Sequence, residues 1–225
     1  MATLRSLHRF LLRCSFYPLI LATALASALL LGRMRLSGTG TYGFLFWNIT
    51  LAWIPYLASL ALVATQRHAP RRWATALLGL IWFCFLPNAP YLITDLMHLR
   101  YNAEVPLIYD VGMLASAAWT GSFLAVASLR MVQALVRQAY GGLVSWLFVL
   151  LAIGSSGFGI YLGRVLRWNS WDVVMNPRAV LADVLPRAAN PLAHPELPGI
   201  TIIFAAIFLI CYTFPSAGAA NAADR

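Results

Sequence analysis

Six apolar runs, separated and flanked by segments that hold every charged residue, leave this chain few folds to choose from. The runs occupy residues 16–31, 42–64, 73–86, 111–129, 141–162 and 199–214. A helix of about 20 residues crosses the roughly 30 Å hydrocarbon layer of a bilayer, so the longer runs can span it directly. The first, third and sixth are short, and flanking Arg33, Arg71 and Arg72 are placed to snorkel back to water. Lipid offers the backbone no hydrogen-bond partner, which restricts spanning structure to helices and closed barrels. A barrel strand would alternate apolar and polar residues, and residues 143–153 hold no such alternation. The expected fold is all-α, a polytopic membrane helix bundle of about six transmembrane helices with short interfacial helices between them. Residues 1–225 read as one integral membrane domain, with a basic amino terminus at 1–15 and a disordered tail at 215–225.

Composition agrees and removes other classes. The chain is 61% hydrophobic and 10% charged, too little polar surface to clothe a soluble fold. Its net charge of +9 comes from arginine alone, since there is no lysine. A pI near 10.1 would suggest nucleic acid in a soluble protein. Here the arginines flank apolar spans, where they orient the chain and meet anionic head groups, so no nucleic-acid partner is expected and the bilayer is. Cys14, Cys84 and Cys211 are scattered and read as small apolar residues. The amino terminus resembles a signal peptide, but its apolar run continues past the small residues Ala24 and Ala26, which predicts an uncleaved first span.

The gaps differ in sign. The segments holding Arg5, Arg9 and Arg13, then Arg67, Arg71 and Arg72, then Arg130 and Arg137, contain no Asp or Glu. Every acidic residue but Asp224 falls in segments assigned to the other side: Asp95, Glu104, Asp110, Asp172, Asp183 and Glu196. The positive-inside rule then puts both termini in the cytoplasm and the acidic segments outside. The halves show no convincing repeat and no span carries an ionisable residue near its middle, which lowers the case for a transporter.

The unusual polar residues gather in the segments assigned outside. After the third run, Pro87 and Pro90 disrupt the helix, and Asn88 can cap a new one. Along that helix Tyr91, Thr94, Asp95 and His98 recur at i, i+3, i+4 and i+7, opposite Leu92, Ile93, Leu96 and Leu99. Such a stripe suits an amphipathic connector. Asp95 and His98 on one face also suit a proton-transfer pair, or two ligands of a metal site still lacking its others. Asp110 precedes the fourth span as an N-cap would. Glu104 has no comparable motif.

The fifth run ends in Arg164, Arg167, Trp168, Asn169, Ser170, Trp171 and Asp172. Trp beside Arg anchors helices at the lipid boundary. Two guanidiniums on one helical face could instead clamp a phosphate or carboxylate, or pair with Asp95 or Asp110. Ser155, Gly159 and Gly163 form a small-residue stripe that lets another helix approach closely. Asn48 in the second run suits a hydrogen bond between helices and can also reach the outer site. His194 and Glu196 have no ligand partners at recognisable spacing.

Taken together, FLPNAPYLITDL at 85–96, the WN and AWIPY elements of the second run, Tyr109-Asp110 and GRVLRWNSWD at 163–172 resemble an uncharacterised bacterial family of multi-pass membrane proteins of unknown function. The resemblance covers approximately residues 44–214 and implies the bacterial cytoplasmic membrane, but carries over no activity or cofactor. No nucleophile elbow, phosphate loop or zinc-protease helix appears. The sequence alone therefore leads to one polar outer site of Asn88, Tyr91, Asp95, His98, Asp110, Arg164, Arg167, Asn169 and Asp172. That site would bind an anionic envelope or lipid-linked ligand, with Asp95 and His98 as acid and base if there is turnover. A transporter and an assembly partner are the alternatives.

Overall fold

The computed structural model describes residues 2–68, 71–101 and 105–214, which leaves Glu104 and the tail at 215–225 outside the described residues. Helix α1, Ala2–Arg13, leads into α2, Phe16–Ser37. Helices α3, Phe44–His68, and α4, Arg72–Phe85, follow. The chain then makes one α-turn, α5, Asn88–Tyr91, and a 3-10 stretch, Leu92–His98. Helix α6 is Leu107–Arg164, and α7, Asp172–Met175, and α8, Pro177–Ala189, lead to the last helix, α9, Glu196–Thr213.

Helix α6 has 58 residues, which would be about 87 Å long if straight, nearly three hydrocarbon thicknesses. It is bent back on itself. Gly141 has φ 85° and ψ 178°, a conformation open to glycine and strained for any residue with a Cβ. Trp82 of α4 touches both sides of the bend: its Nε1 donates to Ser128 Oγ at 2.7 Å, and its ring stacks on Phe148 at 5.6 Å. In a straight helix those two residues would be about 30 Å apart. Among the described residues, five helical segments are long and apolar enough to cross a membrane, and α6 supplies two arms, which makes six crossings.

The sequence assigns residues 130–140 to a connection, whereas the first arm stays helical through Tyr140. Partners from the last crossing explain the difference. Arg130 donates to the carbonyl of Tyr212 at 3.0 Å and lies over its ring, and Tyr212 donates its hydroxyl to Gln133.

Outward positions are apolar: Leu21, Leu143 and Leu151 are 72%, 78% and 72% exposed. Water would penalise such a surface and lipid does not. Inside, Leu30, Leu45, Tyr56, Met113, Leu124 and Leu129 are fully buried and packed together. Ser128 works within this core as a relay, accepting from Trp82 and donating to the carbonyl of Pro55 at 3.1 Å. Ser128→Ala is expected to leave the buried indole N–H without an acceptor and to cost about 1–3 kcal/mol in reversible unfolding from mixed micelles. A loss below about 0.5 kcal/mol would mean the relay contributes nothing.

The hairpin of α6 also grips the segment that carries Asp95. A Cβ at Gly121 on the first arm would stand 2.2 Å from the carbonyl oxygen of Ala89, and one at Gly159 on the second arm 2.5 Å from Pro87. Glycine at both places lets residues 87–92 sink between the arms. Gly159 belongs to the small-residue stripe read from the sequence, and the element it admits is this proline-broken segment.

Candidate functional site

Two ion pairs are built at one end of the bundle, where the segments after α2, α4 and the second arm of α6 meet. Asp95, on the 3-10 stretch, is 1% exposed and receives Arg164 Nη2 at 2.6 Å on one carboxylate oxygen and Asn48 Nδ2 at 2.8 Å on the other. Asp110, in the first turn of α6, is equally buried and receives Arg33 Nε at 2.6 Å and Nη2 at 3.3 Å. These contacts draw on five of the six crossings, across sequence separations of 47 to 77 residues. A carboxylate withdrawn from water needs such partners, because its desolvation cost exceeds what one bond returns.

Arg164 is the hub. Its Nε and Nη2 donate to Thr94 Oγ1, Nη1 stands 3.0 Å from His98 Nε2, and its Cζ lies 4.5 Å from the centroid of the Tyr91 ring. A guanidinium can only donate, so His98 accepts through Nε2 and carries its ring hydrogen on Nδ1. The two networks join at Tyr42, whose hydroxyl lies 3.2 Å from the carbonyl of His98 and 3.4 Å from Asp110 Oδ2.

Several local expectations are altered by this geometry. Asn88 does not cap α5, for Pro87 stands at that place. Its amide instead donates to the carbonyl of Phe85 at 3.1 Å and to Ser170 Oγ at 2.7 Å, tying the α5 turn to the segment after α6. Asp110 is not an N-cap either, because α6 begins three residues earlier, after Pro106. The middle of the polar stripe faces inward: Thr94 and Asp95 are buried and Tyr91 and His98 half-buried, while of the apolar residues Leu96 and Met97 are exposed and Leu92 is fully buried. Asp95 and His98 do not touch, since the Arg164 guanidinium stands between them. Arg167 is not on a face with Arg164, because α6 ends at Arg164 and Arg167 has φ 61°, outside any helix, with its side chain exposed. Asn169 and Asp172 serve their own turn, with Asp172 Oδ2 accepting Asn169 N at 2.8 Å and Nδ2 at 3.1 Å. Among the described residues no three His, Cys, Asp or Glu side chains gather as a metal ion would require.

A groove of about 270 Å³ lies beside the Asp95 pair, lined from α3, α4 and the second arm of α6. Asn48, Asn88, Tyr91, Asn169 and Ser170 stand at its polar end, and Leu51, Phe83, Cys84, Ser155 and Phe158 continue it along the helices. From Gly163 to Ser155 it follows the arm for about 12 Å. Trp47 and Phe83 at its edge are about half exposed. Trp168 closes the polar end and is held from outside the bundle, donating Nε1 to Asp183 Oδ2 at 3.0 Å. That bond and the Arg187 guanidinium hold the Asp183 carboxyl below its ordinary range.

The site read from the sequence lacked Arg33 and Tyr42, and also Thr94 and Ser170, which bond to Arg164 and Asn88. The matching depth of Arg33, two residues past one run, and Asp110, one residue before another, was the available signal.

The crossings and apolar exterior define a multi-pass helical membrane protein. The model of a protein family of unknown function, DUF1361, matches residues 47–211, and the chain belongs to that family. The match takes in Asn48, Asp95, Asp110 and Arg164 and begins after Arg33 and Tyr42. No curated protein and no solved structure matches the chain.

Proposed function

We propose that this protein binds a lipid or lipid-linked amphiphile at the extracytoplasmic face, with the apolar part of the ligand along the groove and its polar group against Asn48, Asn88, Asn169 and Ser170. The observation that carries this is the groove itself, apolar along its length and ending in amides and a hydroxyl. A hydrocarbon chain gains little by leaving bilayer for groove, since both are apolar. Selectivity must then come from the polar end, where hydrogen bonds form at low dielectric. Asn48 gives one amide hydrogen to Asp95 and has its carbonyl to offer a ligand.

The Arg164 guanidinium is committed to Thr94, Asp95 and His98, so it acts as scaffold for this site and not as one arm of an anion clamp. For the same reason Asp95 and His98 are assigned to positioning Asn48 and the polar end, not to proton transfer. The cytoplasmic placement of both termini and the bacterial inner membrane remain part of the same proposal.

Native mass spectrometry of protein released from membranes in mild detergent tests it. Wild type is expected to retain about one amphiphile per chain, and Ser155→Phe, which fills the groove, to retain at least about tenfold less. Equal retention by both proteins, or none by wild type, would sink the proposal.

A further inference from the structure

A second cavity, about 390 Å³, lies beside the Arg33–Asp110 pair and is lined by Arg33, Thr41, Tyr42, Phe44, His98, Arg100 and Tyr101. Arg33 is 3% exposed and turns Nε and Nη2 onto Asp110, yet its Nη1 has no hydrogen-bond partner. A buried cationic N–H left without an acceptor is costly, and native proteins rarely keep one without a reason. The ion pair cancels the Arg33 charge, so among the described residues the net charge at the cavity comes from Arg100, which is exposed at its wall. Among the described residues, the lining includes no carboxylate. The hydroxyls of Thr41, Tyr42 and Tyr101 add neutral donors.

We propose that this cavity is an oxyanion site, in which phosphate or carboxylate oxygens bridge Arg33 and Arg100. Such groups accept several hydrogen bonds at once, and arginine recognises them through paired N–H donors. The oxyanion is either free in solution or part of a lipid head group, and the chemistry of recognition is the same. The site is separate from the groove near Asn48 and does not depend on its occupant.

Two measurements on the full chain distinguish the sources. In phosphatidylcholine nanodiscs, inorganic phosphate added at constant ionic strength should raise the unfolding temperature if the oxyanion is free. In nanodiscs of phosphatidylcholine and phosphatidylglycerol at four to one, native mass spectrometry should show phosphatidylglycerol retained above its share if the oxyanion is a head group. Arg100→Gln, at an exposed position, should weaken whichever response appears by about tenfold or more. Arg33→Lys keeps a cation on Asp110 but lacks the third nitrogen, and should weaken it similarly. Ser155→Phe should leave it unchanged, which separates this site from the groove. Absence of both responses, or responses indifferent to both arginine variants, would overturn the proposal.

Discussion

Arg33→Ala should destabilise the protein by about 3–5 kcal/mol, and Asp110→Ala should do the same, because each leaves a charge buried without its counterion. Both side chains are almost wholly out of water, at 3% and 1% exposure, so solvent can do little to replace the missing partner. Removing both charges together should cost far less than the sum. A double variant of Arg33→Met and Asp110→Leu, similar in volume and without charge, is expected to recover most of the loss, since a buried pair and a well-packed apolar pair are often close in stability. Reversible unfolding of the four proteins in mixed micelles gives the coupling energy directly. Costs that simply add would show that the pair is not a unit, and the join between α2 and α6 would then rest on other contacts. Chief among those is Tyr109, whose hydroxyl donates to the carbonyl of Leu29 at 2.8 Å.

The crossings were legible because lipid imposes a strict rule on length and polarity, and the rule acts on local sequence. A turn between the fourth and fifth runs was legible for the same reason, although it was spread over residues 130–140 and the bend falls at Gly141 alone. The site was legible only in part. Tyr91, Thr94, Asp95 and His98 could be grouped from their spacing, but whether their stripe faced water or protein could not, because inside a membrane protein the polar face turns inward to find partners. The partner of Asp95 was among those weighed, yet Arg33 was read as an anchor for its own helix end. That is the ordinary fate of an arginine there, and its true partner lies 77 residues away. Arg167 misled in the opposite direction. Its spacing from Arg164 implies a shared face only while the helix continues, and the helix stops at Arg164. The end of a helix beside a Trp-rich interface is set by tertiary contacts, here the fixing of Trp168 by Asp183 and of Ser170 by Asn88, and these leave little trace in local sequence.

Arg164→Ala should be as costly as loss of Arg33, about 3–5 kcal/mol, and should also disturb the groove. Asp95 would be left with Asn48 alone, Thr94 and His98 would each lose a donor, and the Tyr91 ring would lose the guanidinium above it. Arg164→Lys is the more informative variant. An ammonium group keeps the charge near Asp95 but cannot reach Thr94, Asp95 and His98 together or lie flat on Tyr91. It is expected to restore part of the stability while leaving the polar end of the groove disordered. Cys84 lines that groove and reports on it. Its labelling by a lipid-soluble maleimide should be faster in Arg164→Lys than in wild type under folding conditions that keep both proteins native. If Arg164→Lys matched wild type in both stability and labelling, charge alone would account for Arg164, and the planar fork would have no part in holding the groove. A slower reaction in wild type, with stability largely restored in the lysine variant, would separate the two roles: charge to keep Asp95 buried, and planar geometry to fix Tyr91 and Asn48 at the mouth where a polar group would be recognised.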